Sequence, residues 1–251
     1  MPRINPFRLA VVCALALSTT MAFTALAAAK GLQADLRVVG SGGKVLAEKT
    51  VVSANLAVKT SPQATCFGKD NAGSGESAQL KGNTAMGLLA SGARTTAALK
   101  PLLITDAFDF GLAVCGVGSS VAGGSSSWYL KINHKAQMVS GDAARIKAGD
   151  EVLWTLARTE APDYTYPGEL VLTAPASAAA GMEFTVRVWS YDEKGRKTPA
   201  EGAKVTGGSG PTGADGRTTV TLARPAKLAA KATGEIPSAK VAVCVGGKCP
   251  K

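Results

Sequence analysis

The stretch SSSWYLKINHKAQ, residues 125–137, decides the predicted fold together with KAGDEVLWTLA, residues 147–157. Both alternate large apolar side chains with polar ones, and this period of two is typical of strands with one buried face. In the first stretch, Asn133 and His134 form the predicted turn at the tip of a hairpin. The sequence therefore predicts two aromatic strands, each with its tryptophan on the side that faces a core.

A short helix is predicted before these strands. The stretch GNTAMGLLASG, residues 82–92, begins with a capping residue, Asn83, and ends with a stop signal, Gly92. Further upstream, apolar runs at residues 36–39 and 44–48 flank a glycine-rich turn, which predicts a hairpin. Hairpins, one helix and two aromatic strands follow the order of a β-grasp sheet packed on one helix, so we predict an α+β fold for this region.

The remainder of the chain predicts an all-β region. Residues 168–251 carry short apolar alternations separated by turn residues, which is the pattern of a β-sandwich. The stretch between the two regions has two prolines and no apolar periodicity, and it predicts a linker at residues 158–167. We therefore divide the chain into residues 1–29, 30–157, 158–167 and 168–251.

Three short motifs in the first region resemble a known family. They are NTA at residues 83–85, WYLKIN at residues 128–133 and KAGDEVLW at residues 147–154. Together they resemble the transcobalamin-carboxyl-terminal-like domain, over roughly residues 50–157. The resemblance implies a β-grasp module of the kind found in exported bacterial proteins and as the smaller domain of vertebrate vitamin B12 carriers. That family commonly has glycine after the asparagine of the hairpin, where this chain has His134.

The second region carries a resemblance of its own. GAKV at residues 202–205 and TGADGRTTVTL at residues 212–222 are similar to motifs of bacterial immunoglobulin-like and carboxypeptidase-regulatory-like sandwiches. The resemblance spans about residues 168–245 and implies an immunoglobulin-like β-sandwich. Such domains serve as spacers or as adhesive and carbohydrate-contacting modules, usually without catalytic residues.

The amino terminus has the marks of a secretory signal peptide. Arg3 and Arg8 precede an apolar run that ends in three alanines. We place cleavage after Ala29, with Ala27 as the alternative site, and an uncleaved membrane anchor is the alternative to cleavage. No later stretch reaches transmembrane length, so we expect a mature chain that is secreted or held at the cell surface.

Export would place the remaining cysteines in an oxidising compartment, where an even number predicts disulfides. Four cysteines allow three pairings, and their positions favour Cys66 with Cys115 and Cys244 with Cys249. No C-x-x-C motif or accompanying histidine is present, so we expect no metal site.

The formal charge of the chain is +10, and removal of Arg3 and Arg8 with the leader would lower it to +8. A positive excess suits anionic wall polymers or lipid headgroups. The lysines are scattered, however, and are not interleaved with aromatic residues as nucleic-acid binding requires. We therefore expect a solvated basic surface, no nucleic-acid partner and no membrane span in the mature chain.

The sequence predicts no enzyme. The nucleophile motif G-x-S-x-G is absent, and the one histidine, His134, lies in a turn. The mature cysteines are expected to be oxidised, and Asp106 and Asp109 are interpreted as loop acids. We assign no catalytic residue and no cofactor.

The hairpin at residues 125–137 supplies the candidate ligand contacts, which are Tyr129, Lys131, Asn133 and His134. Tyr129 and Lys131 should share the outer face, with His134 exposed at the tip. The leading prediction is an exported, non-enzymatic binding or adhesion protein of the cell envelope, whose partner is an envelope polymer, a protein or a small molecule. The alternatives are a carrier for a corrinoid or haem, in which His134 would face the metal centre, and a structural wall protein without a dedicated ligand.

Overall fold

The computed structural model describes residues 31–158 and 165–250. The predicted signal peptide at residues 1–29 and most of the predicted linker lie outside the described residues. Within the described part of the chain, no helix has both the length and the apolar character needed to cross a membrane.

Residues 31–158 form one α-helix, α1 (Ala85–Thr95), and ten strands. The strands are β1 (Leu32–Val39), β2 (Val45–Ser53), β3 (Leu56–Lys59), β4 (Ser77–Leu80), β5 (Leu102–Thr105), β6 (Ala113–Val117), β7 (Ser120–Val121), β8 (Ser126–Ile132), β9 (Lys135–Ala136) and β10 (Glu151–Arg158). Single 3-10 turns lie at Ser41–Gly43, Lys69–Asn71 and Ala97–Leu99.

The largest sheet has five strands in the order β2-β1-β10-β8-β9. Strands β1 and β10 are parallel, and the other neighbouring pairs are antiparallel. Trp154 pairs with Leu130, and both side chains lie in the core, as the alternation in the two strands predicts. Helix α1 packs on this sheet, and its residues Met86 and Leu89 are buried in the same core as Leu36.

The ends of α1 differ from the prediction by a few residues. Thr84, one residue after the predicted Asn83, is the N-cap, and its hydroxyl accepts a hydrogen bond from the main-chain nitrogen of Gly87 at 3.1 Å. The helix continues past Gly92 to Thr95. Gly92 marks a close approach of helix and sheet, because a Cβ atom there would lie 2.5 Å from Cδ2 of Leu36.

Residues 165–250 form nine short strands and no helix. The strands are β11 (Glu169–Thr173), β12 (Ser177–Ala178), β13 (Glu183–Tyr191), β14 (Lys197–Pro199), β15 (Lys204–Val205), β16 (Arg217–Thr221), β17 (Ala226–Leu228), β18 (Ala230–Lys231) and β19 (Val241–Val245). Strand β13 pairs with β11, β14 and β16, and β19 pairs with β12 and β17. Val186, Val188 and Val243 lie in a second hydrophobic core.

The prediction of an α+β β-grasp fold is wrong. The described chain has far more strand than helix, with one helix and six separate sheets. Strands β3 and β4 form a separate two-stranded sheet, and β5, β6 and β7 form a separate three-stranded sheet. The helix is therefore a minor part of a mostly β structure. The second region is all-β as predicted, whereas its immunoglobulin-like assignment and the domain boundaries stay predictions.

Two disulfides form, and this confirms the predicted use of the cysteines. Cys66 is bonded to Cys115 in β6, and Cys244 in β19 is bonded to Cys249. The first closes a separation of 49 residues and the second a separation of 5 residues. The first bridge therefore ties a long loop to a strand, and the second holds a local turn.

Candidate functional site

The structure places the four predicted ligand contacts on β8 and in the turn before β9. Asn133 and His134 both have positive φ, at 49° and 67°, as a two-residue hairpin turn of this kind requires. Asn133 is held there by two hydrogen bonds: its amide nitrogen donates to Asp150, and its amide oxygen accepts from the main-chain nitrogen of Glu151, both at 2.9 Å. The turn is thus fixed to the start of β10.

The expected exposure of Tyr129 and Lys131 is wrong. Tyr129 is 6% exposed and Lys131 is 0% exposed, because residues from the second half of the chain cover the outer face of the hairpin. Nζ of Lys131 donates to the main-chain oxygen of Tyr191 at 3.0 Å. The ring of Tyr129 stacks on Tyr166 at a centroid distance of 3.5 Å. The alternation correctly predicts which side chains share a face. That polar face, however, packs against residues 165–250 and is not open to solvent.

A group of charged side chains lies where β8 meets β11. We call Arg37, Lys131, His134 and Glu169 the junction cluster. Glu169 is 2% exposed and forms a salt bridge with Arg37, while its other oxygen lies 3.6 Å from Nζ of Lys131. Nδ1 of His134 lies 3.2 Å from Glu169, an ion-pair distance without the alignment of a hydrogen bond. The buried carboxylate of Glu169 therefore lies next to two buried cations, Arg37 and Lys131, and next to His134.

The electrostatics keep Glu169 ionised. Burial by itself would raise the pKa of Glu169, but His134, Arg37 and Lys131 together outweigh it and hold the pKa below its ordinary value. Burial lowers the pKa of Lys131, and Glu169 opposes that shift. The junction cluster is thus an ion-pair network that connects residues 31–158 with residues 165–250.

His134 is enclosed on three sides. Its ring packs on Tyr191 at a centroid distance of 4.3 Å, and Nε2 lies 3.5 Å from Glu151. A cavity of about 280 Å³ lies beside it, lined also by Arg37 and Glu169. In the described chain no three His, Cys, Asp or Glu side chains are grouped to hold a metal ion. The geometry gives His134 the role of a bridge between carboxylates.

A second concave surface is lined in part by residues of β8. It has a volume of about 300 Å³, and we call it the aromatic groove. Its lining residues are Phe67, Phe110, Leu112, Ala113, Val114, Trp128, Tyr129, Leu130, Gln137, Met138, Val139, Ser140, Gly141, Trp154 and Tyr166. Tyr129 belongs to this groove, whereas Lys131, Asn133 and His134 do not.

Aromatic rings dominate the groove and the loop beside it. Phe110 stacks on Phe108 at 4.8 Å with an interplanar angle of 14°, and Phe67 meets Phe108 edge-on at 5.2 Å. Phe67 follows directly on Cys66, so the disulfide to Cys115 in β6 holds it beside the groove. The groove is therefore built on a braced framework.

Four polar atoms of groove residues are shielded from water and have no hydrogen-bond partner. They are Nε1 of Trp128, the hydroxyl of Tyr129, Oγ of Ser140 and Nε1 of Trp154. Buried polar groups of this kind are paired in most proteins, so each one calls for an explanation. Burial is the main cause that raises the pKa of Tyr129, which keeps its hydroxyl protonated and able to donate.

Sequence reasoning did not single out Phe67, Phe110, Met138 or Tyr166. The available signal was large apolar side chains in segments without strand or helix periodicity, as in FDF at residues 108–110. Asp106, a predicted loop acid, lies in the loop after β5 and binds a different loop: its carboxylate accepts from the main-chain nitrogen of Ser74 at 2.8 Å.

Neither a scan against protein-family models nor searches of curated proteins and of solved structures finds a match to this chain. The resemblances to transcobalamin-like and immunoglobulin-like domains therefore stay predictions.

Proposed function

We propose that this chain is an exported, non-enzymatic binding protein that attaches to the cell envelope through the aromatic groove. One observation carries the proposal. Seven large apolar side chains are exposed in the described chain, and four of them line this one groove: Phe67, Phe110, Met138 and Val139. Exposed apolar side chains that are gathered in one patch mark interaction surfaces, whereas scattered ones do not.

The disulfides support export. Cys66–Cys115 and Cys244–Cys249 use all four cysteines of the described chain. Disulfides persist in oxidising compartments and are rare in the cytosol. A protein that meets the envelope from outside the cytoplasm fits this redox state.

The environment of His134 supports a non-enzymatic role. A general base needs a nitrogen within reach of the proton that it removes from a substrate. Here Nδ1 faces Glu169 and Nε2 faces Glu151, at 3.2 Å and 3.5 Å, while Tyr191 covers one face of the ring. The histidine is occupied by contacts that hold the hairpin to the second half of the chain.

Co-sedimentation with purified cell-envelope fragments tests the proposal. Phe110→Ser removes an exposed groove ring, and Met182→Ser removes an apolar side chain of similar exposure, 64% against 66%, outside the groove. We expect wild type and Met182→Ser to sediment alike and Phe110→Ser to bind about tenfold more weakly, the loss typical of a contact hot spot. A wild-type protein that stays in the supernatant, or equal binding by both variants, would contradict the proposal.

A further inference from the structure

We infer that the aromatic groove binds an uncharged saccharide chain. This inference rests on the proposed function and names the class of ligand that the groove would take.

The lining carries no charge. None of the fifteen groove residues is Asp, Glu, Lys, Arg or His, although the chain as a whole has 28 basic and 18 acidic residues. A charged group that entered the groove would lose water without gaining a counter-charge, which is costly. Anionic polymers and cationic peptides are therefore poor occupants, and a neutral ligand fits.

The rings offer flat apolar faces. Phe110 is 66% exposed, and only one face of its ring is stacked on Phe108. Tyr166 covers the ring of Tyr129 at a centroid distance of 3.5 Å, so Tyr166 is the outer ring of that pair. The C–H groups on one face of a pyranose ring form an equally flat apolar surface, which packs on an aromatic face through dispersion and weak C–H contacts. Sugar rings thus match the shape that these side chains present.

The unpartnered polar atoms require a ligand with acceptors. An indole nitrogen can only donate, so Nε1 of Trp128 and Nε1 of Trp154 need oxygen or nitrogen lone pairs. These atoms are shielded from solvent, so a ligand in the groove meets them only when a groove side chain moves aside. A hydrocarbon chain would leave all these groups unpaired. Saccharide hydroxyl, ring and amide oxygens supply the acceptors.

The size of the groove selects a short segment of ligand. A volume of about 300 Å³ lies at the lower end of the range for small-molecule sites. It admits a few ring units of a chain rather than a folded domain. A saccharide chain would lie with its ring faces on Phe110 and Tyr166 and its oxygens toward Trp128.

Calorimetric titration of the full mature chain tests the inference with three defined probes. Chitohexaose and maltohexaose are neutral, and hexagalacturonate has the same length with six negative charges. Trp128→Phe keeps an aromatic ring and removes the N–H donor, and Trp189→Phe is the matched control in β13. We expect saturable binding of at least one neutral probe, about tenfold weaker binding by Trp128→Phe, as for one lost hydrogen bond, and wild-type binding by Trp189→Phe.

The outcomes separate this inference from the proposed function. Envelope fragments that bind while both neutral probes fail would overturn the saccharide inference and leave the envelope proposal standing. Hexagalacturonate binding as tight as that of the neutral probes would also overturn it. So would self-association that Phe110→Ser abolishes, since the occupant would then be a second copy of the chain. Failure of both envelope fragments and probes would overturn both proposals.

Discussion

One carboxylate oxygen of Glu169, at the start of β11, lies 3.2 Å from Nδ1 of His134 in the hairpin turn of the first half. The two residues are 35 positions apart, and the sequence gives no motif that connects them. Their contact explains why the hairpin is an internal junction, because the same carboxylate also holds Arg37 and lies near Lys131.

Replacement of Glu169 by glutamine should strongly destabilise the protein. The variant leaves Arg37 and Lys131 as buried cations without their anion, and loss of one partner from a buried pair typically costs about 3–5 kcal/mol. Urea unfolding measures the difference. Glu183→Gln, at an exposed position of β13, is the control and should stay within about 0.5 kcal/mol of wild type. Equal unfolding midpoints for the two variants would contradict the role given to Glu169.

The same residue predicts a pH dependence. The pKa of Glu169 in the folded protein lies below its ordinary value of 4.5. Its stabilising contribution is therefore complete above the unfolded-state pKa and is lost as the pH falls through the folded-state pKa. Between pH 7 and pH 3, wild type should lose more unfolding free energy than Glu169→Gln does. Parallel losses would show that other carboxylates account for the acid sensitivity.

The two disulfides should contribute unequally to stability. Removal of Cys66–Cys115 by paired alanine substitutions should cost about 4 kcal/mol, and removal of Cys244–Cys249 about 2 kcal/mol, because the first closes the longer loop. Denaturant titration of the two double variants under oxidising conditions measures this order. A larger loss from the Cys244–Cys249 pair would contradict the loop-closure explanation.

The carrier alternative for a corrinoid or haem also makes a measurable claim. Both ring nitrogens of His134 face carboxylates, and the ring lies on Tyr191. We therefore expect no His134-dependent band shift when the mature protein is titrated with cobalamin or haem and followed by visible absorption. A saturable shift that His134→Ala abolishes would restore the carrier interpretation.

Much of the local structure could be predicted from the sequence, and the contacts between distant segments could not. The alternation in β8 and β10 correctly predicts that Trp154 and Leu130 point to the core. The cysteine positions correctly predict both disulfides. Periodicity shows which side chains share a face, but it does not show what covers that face. The polar face of β8 therefore predicts that Lys131 lies in solvent. In the structure Lys131 is buried, because residues 165–250 cover that face.

The aromatic groove was beyond prediction for a related reason. Its residues come from six separate segments, which include the loop after Cys66, the loop before β6 and the residues after β9. Most of these segments lie outside strands or contribute a single side chain, so no periodicity in the sequence connects them. Only the packing of β6, β8 and β10, with the disulfide at Cys115, brings them together.

The most direct test of the account is the indole region of a proton–nitrogen-15 NMR spectrum during titration with solubilised envelope glycan. The chain has three tryptophans, and Trp128 and Trp154 line the aromatic groove, whereas Trp189 lies under Arg187 in the second half. We predict that the signals of Trp128 and Trp154 shift and that the Trp189 signal stays in place. Binding that moves Trp189 alone, or that moves none of the three, would contradict it.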